Sequence, residues 1–100
     1  PTLIFDEIDS GISGETALKV SRIMKNLSTN HQLISITHLP QIAAKGDEHY
    51  FVYKETIGSR TFTRIKQLTN SERINAVAQM LSGEKPTAAA MKNAKELMEN

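Results

Sequence analysis

Apolar residues fall along the chain in distinct patterns, and each pattern predicts an element. Thr2 to Phe5 is a continuous β-prone run that ends in the acidic cluster Asp6-Glu7-Ile8-Asp9. Continuous apolarity, rather than alternation, predicts a strand buried on both faces. Ser10-Gly11-Ile12-Ser13-Gly14 reads as a loop by composition. From Gly14 to Leu27, Ala17, Val20, Met24 and Leu27, joined by Ile23, recur at helical spacing behind Ser13 as N-cap. Gln32 to Thr37, with Leu33, Ile34 and Ile36, repeats the buried-strand pattern. Strand, helix of about four turns and strand predict a βαβ unit whose strands run parallel.

The pattern then changes. Leu39 to Ala44 reads as a short helix with Pro40 in its first turn, stopped near Gly46. His49 to Lys54 and Arg60 to Gln67 alternate with period two around Glu55-Thr56-Ile57-Gly58-Ser59, which predicts an antiparallel hairpin. Thr69 and Glu72 have the spacing of a capping box. The helix it opens carries Ile74, Val77, Ala78 and Leu81 on one face and stops at Gly83. Pro86 starts a last helix, striped by Ala90, Met91, Ala94, Leu97 and Met98. No repeat, low-complexity tract or internal linker interrupts the series.

Composition narrows the class. One hundred residues make a single domain, 1–100, with a modest core. Twelve Lys and Arg against eleven Asp and Glu argue against a strongly basic nucleic-acid binder without excluding a local patch. The absence of cysteine removes disulfide scaffolds, thiolate zinc sites and Cys nucleophiles. No apolar run approaches the roughly 20 residues of a membrane span, so the expected compartment is the cytoplasm and no membrane partner is expected. A buried strand starting almost at Pro1 makes the chain read as a piece of a larger protein.

Three signals carry chemistry. Asp6 and Glu7 end a hydrophobic strand, and in open α/β sheets ligands bind at the carboxyl ends of parallel strands. A carboxylate there holds a nucleotide's Mg²⁺, usually through water, and its neighbour orients or deprotonates the attacking water. The competing reading is a pair of solvated loop acids. His38 ends the second strand and, with parallel strands, emerges at the same edge, where its imidazole can bond a γ-phosphate oxygen; alternatively it caps the next turn. Asp9 and Ser10 follow on the loop. Three acids within four residues repel one another unless a cation or donor intervenes, although Asp9 also suits bonding to loop amides.

Leu3 to Gly14 (LIFDEIDSGISG) together with Ser35 to Ala43 (SITHLPQIA) resembles the C-terminal part of the RecN family. These are bacterial DNA double-strand-break repair ATPases related to the structural-maintenance-of-chromosomes (SMC) proteins. The resemblance continues through Met80-Leu81-Ser82-Gly83 to Asn93-Ala94-Lys95-Glu96-Leu97. Asp-Glu and the strand-end His are shared by ABC-type ATPases at large; Asp-Ser-Gly-Ile-Ser-Gly and Thr-His-Leu-Pro-Gln are the specific stretches. The resemblance implies an α/β fold: the C-terminal lobe of an ABC/SMC-like P-loop ATPase head, with a parallel βαβ core, a hairpin and two closing helices.

It also implies roles. Asp6 would be the Walker B acid, acting on Mg²⁺ through water, and Glu7 the catalytic glutamate. Asp9 and Ser10 would lie on the D-loop that crosses a head dimer, and His38 would be the switch histidine. ATP would be sandwiched between two heads of a homodimer coupled to DNA, in a nucleoid-associated protein. No G-x-x-x-x-G-K-[ST] occurs here, and Gly83 is followed by Glu84-Lys85. The phosphate cradle is therefore expected from the protein's own N-terminal lobe, with the isolated chain inactive.

The weaker features have plain readings. Lys54, Arg60, Arg64 and Lys66 read as a solvated hairpin face rather than a phosphate-backbone stripe. Tyr50, Phe51, Tyr53 and Phe62 read as core aromatics rather than base-stacking platforms. His31 and His49 read as surface residues near loops. Two other identities fit the same residues: another ABC/SMC-like ATPase, or a non-catalytic binding or oligomerisation module whose acidic strand end is structural.

Overall fold

A computed structural model describes residues 1–6, 11 and 14–99 of the chain. Thr2–Asp6 (β1) leads through Gly14–Leu27 (α1) to Gln32–Ile36 (β2). The two strands pair in parallel from Thr2 opposite Gln32 to Asp6 opposite Ile36. The predicted helix bounds match; the strand ends differ by one residue, the usual ambiguity where a ladder gives way to a turn. Ser13, expected to cap α1, lies outside the described residues.

Burial in this unit departs from expectation. Leu3, Phe5, Leu33 and Ser35 are half-buried, whereas Ile4, Ile34 and Ile36 are 67, 45 and 54% exposed. The sheet is covered on one face and open on the other. A continuous apolar strand needs two covering layers, and the described residues supply one. The same holds for α1: Ala17 and Ser21, one turn apart, are its buried positions, while Ile23 and Leu27 are exposed. Ser21 is satisfied by donating its hydroxyl to the Leu18 carbonyl at 2.7 Å.

Pro40–Ala43 (α2) begins with proline at a position where its missing N–H costs nothing. Tyr50–Ile57 (β3) and Arg60–Gln67 (β4) then form an antiparallel hairpin. Its loop is shorter than predicted: Ile57 pairs with Arg60, so only Gly58 and Ser59 remain unpaired. Gly58 has φ +62°, the left-handed backbone that tight hairpin turns need at their first central position. The aromatic expectation is overturned as well. Tyr50, Phe51 and Phe62 are exposed and only Tyr53 is half-buried, because among the described residues no layer covers either face of the hairpin. The basic residues do lie on solvated strands.

Asn70–Ser82 (α3) and Ala88–Glu99 (α4) close the fold. Both halves of the Thr69–Glu72 capping box form, and Gly83 caps the other end at φ +98°. Thr87, not Pro86, opens α4: its hydroxyl accepts the amide of Ala90 at 3.0 Å. The core sits where α3 and α4 meet the end of α2, built on Ala44, Val77, Ala78, Ala90 and Ala94. Ile74, Leu81, Met91, Leu97 and Met98 flank it, as the helical stripes predict. Four of the five buried residues in the cluster are alanines, so the core is thin.

Glu72 couples this helix start to the hairpin. Its carboxylate accepts from Lys66 at 2.5 Å and from the Thr69 amide at 3.0 Å. The Lys66 hydrogen bond first, and then the Thr69 amide and hydroxyl, hold its pKa down at about 2 instead of 4.5. A lowered folded-state pKa contributes stability above the unfolded value and loses it as pH falls. Stability should therefore drop between pH 4.5 and about 2 through this group. Acid titration of the Tm should show a shallower slope in that window for Glu72→Gln, whose side chain still accepts the Thr69 amide.

Candidate functional site at the carboxyl edge of the parallel strands

Because β1 and β2 are parallel, both carboxyl ends emerge at one edge of their sheet. Asp6 is the last residue of β1, opposite Ile36, and His38 follows Ile36 by two residues. The structure thus brings Asp6 and His38 to the same edge, and both are exposed to solvent. Glu7, Asp9 and Ser10 lie outside the described residues.

Local bonding explains how the edge is held. Thr37 accepts the Leu39 amide on its hydroxyl at 3.0 Å, which turns the chain sharply after β2. Pro40, buried, then starts α2, so His38 sits on a short, pinned connection. The first residue of α1 lies against the same connection: a Cβ on Gly14 would meet the Gln41 side-chain nitrogen at 3.2 Å. Among the described residues, Gln41 Oε1 and, on β2, Ser35 Oγ are buried without hydrogen-bond partners.

Asp6 offers a hard oxygen donor to a cation. Among the described residues no three His, Asp or Glu side chains converge on a metal position. Among the described residues, no helix is long and apolar enough to cross a membrane.

Other features sort themselves by their partners. On the hairpin, Arg64 pairs with Glu55 at 3.4 Å and lies 5.4 Å from the Phe62 ring centre, while Lys66 is engaged by Glu72. Two of the four basic residues are thus already neutralised. His49 is not the surface residue expected. It is half-buried, its Nε2 is hydrogen-bonded to the Ala43 carbonyl, and burial pushes its pKa down. The missed signal was Gly46, where a Cβ would stand 3.2 Å from the His49 ring. Sequence spacing also gave no sign of a cation-lined cavity between α1, α3 and α4.

No protein-family model matches the chain. It is 42% identical to DNA repair protein RecN of Haemophilus influenzae over 99 residues, 99% of this chain and 18% of that protein. RecN of Rickettsia conorii is 47% identical over 98 residues and RecN of Bacillus subtilis 38% over 97, covering 18% and 17% of those proteins. The chain therefore spans less than a fifth of the length of these relatives, and it matches their C-terminal part. A solved structure from work on ATP-driven dimerization and DNA-stimulated activation of SMC ATPases superposes with a TM-score of 0.65. That match is 18% identical and covers 85% of this chain and half of the other. The fold is that of part of an SMC ATPase head.

Proposed function

We propose, from the premise that the chain corresponds to the C-terminal part of RecN proteins, that it is the Walker B lobe of an ATPase head acting in DNA double-strand-break repair and recombination. The observation that carries this reading is the parallel pairing of β1 with β2, which delivers Asp6 and His38 to one open sheet edge. Asp6 would hold Mg²⁺ through water, and the ion would neutralise charge on the nucleotide's phosphates. Glu7 would position and deprotonate the hydrolytic water. His38 would donate to a γ-phosphate oxygen and so register whether ATP is present. Asp9 and Ser10 would lie on the loop that faces a second head.

The open faces support this assignment. Ile4, Ile34 and Ile36 form an apolar sheet surface that a second layer would cover, and the rest of the head is the proposed cover. That remaining lobe would also bring the phosphate-binding loop and its lysine, which these hundred residues lack. In the whole protein ATP would close two heads and hydrolysis would release them, coupled to DNA, in the cytoplasm and at the nucleoid. The chain by itself should not turn over ATP. Phosphate-release assays with Mg²⁺ should show the purified chain no faster than its Glu7→Gln variant; a clear excess would overturn the half-site reading.

A further inference from the structure

A second polar cluster lies toward the other end of α1, where the rise per residue puts Lys25 about 16 Å along the axis from Gly14. Lys25 Nζ is 2.5 Å from Asp47 Oδ1 and donates to the Lys45 carbonyl at 3.4 Å. Lys45 Nζ donates to the Leu97 carbonyl in the last turns of α4 at 3.1 Å. Arg73 of α3 donates through its Nη atoms to the Gly46 carbonyl at 2.6 Å and to Asn70 Oδ1 at 3.3 Å. Lys25, Lys45, Asp47, Arg73 and Glu99 line one cavity of about 320 Å³.

Its charge and its unused donors point the same way. Three cations meet two carboxylates, and Arg22 adds a fourth positive charge within reach of Lys45. Asp47, 77% exposed at its side chain, is the acid that engages Lys25. Burial, then the charges of Arg22 and Lys25, push the Lys45 pKa below its ordinary value, as expected where positive charge exceeds negative. Arg73 Nε is buried with no partner among the described residues. A guanidinium offers five N–H donors and an ammonium three, so the bonds to backbone carbonyls leave several unspent.

We propose that this cavity binds a phosphate-type oxyanion, held by the Lys25 and Lys45 ammonium groups and by the free N–H of Arg73. A phosphate's oxygens suit two ammonium point charges beside one remaining guanidinium N–H, the Nη atoms being engaged by Gly46 and Asn70. The volume admits one phosphate group with water or part of a sugar beside it. The phosphate is either free or part of a nucleic-acid backbone. Bound there, it would tie α1 and α3 to the corner at Lys45–Asp47 from which the hairpin departs.

Hydrogen–deuterium exchange of the full-length protein tests this site, read at peptides covering residues 43–49. Inorganic phosphate, against chloride at equal ionic strength, should protect them in a saturable way. Lys25→Gln, at an exposed position, should raise the half-saturation about tenfold, the loss expected for one charge-assisted contact. Arg73→Lys keeps the charge but removes the Nε donor and should weaken protection as well. A parallel arm uses short duplex DNA. Protection by DNA that Lys25→Gln abolishes assigns a nucleic-acid backbone; protection by phosphate alone assigns a free phosphate. No protection by either, or protection unchanged in both variants, overturns the proposal.

Discussion

Glu7→Gln in the full-length protein should still bind ATP while losing turnover by roughly 10²–10⁴-fold, the contribution typical of a positioned general base. Glutamine keeps the shape and hydrogen-bonding reach of glutamate but has neither its charge nor its basicity. ATP binding would rest on phosphate contacts from the other lobe and on the Mg²⁺ held through Asp6, none of which the substitution touches. Nucleotide should therefore accumulate unhydrolysed, and heads that close on ATP should stay closed. Equilibrium nucleotide binding and steady-state phosphate release, measured on the same preparation, separate the two effects. Turnover within a few-fold of wild type would show that Glu7 is not the base. Loss of binding together with turnover would place it among the binding groups.

The reach of such a test depends on what periodicity reveals about a chain and what it leaves out. The α1 bounds, the parallel pairing of β1 and β2, and the Thr69–Glu72 box were legible because each follows from local chemistry or short-range pattern. Asp6 and His38 were legible as a pair for the same reason: parallel strands must end at a common edge. Exposure was not legible. Leu3-Ile4-Phe5 shows that a strand is apolar on both sides, but not whether both covering layers lie within the same hundred residues. Ile23 on α1 and the aromatics of the hairpin fail in the same way. The hairpin turn was overestimated because Glu55, Thr56 and Ile57 break the apolar alternation, while the ladder, with Glu55 opposite Phe62 and in a diagonal ion pair with Arg64, runs on to Ile57 opposite Arg60. Nor was the cavity legible, since Lys25, Lys45 and Arg73 meet only through tertiary packing.

The same division between covered and open faces predicts two opposite responses to one kind of substitution. Ala94 is fully buried among Ala44, Val77, Ala78 and Ala90. Ala94→Asp would put a carboxylate where there is neither room nor an acceptor-seeking partner. Overpacking alone costs about 1–3 kcal/mol, and burying an unpaired charge adds several more. Against a total stability of about 5–15 kcal/mol, and with so thin a core, cooperative unfolding should be lost at 25 °C. Ile34→Asp introduces the same side chain on the open sheet face, where solvent reaches nearly half of the residue. Its cost in the chain should stay within about 1 kcal/mol, as for other exposed substitutions. In the full-length protein, where that face is proposed to be covered, Ile34→Asp should approach Ala94→Asp in severity. Thermal melts of both variants in both contexts give four values. A chain unfolded equally by the two substitutions would mean that the sheet face is already part of the core. An Ile34→Asp variant as mild in the full-length protein as in the chain would mean that no second lobe packs there.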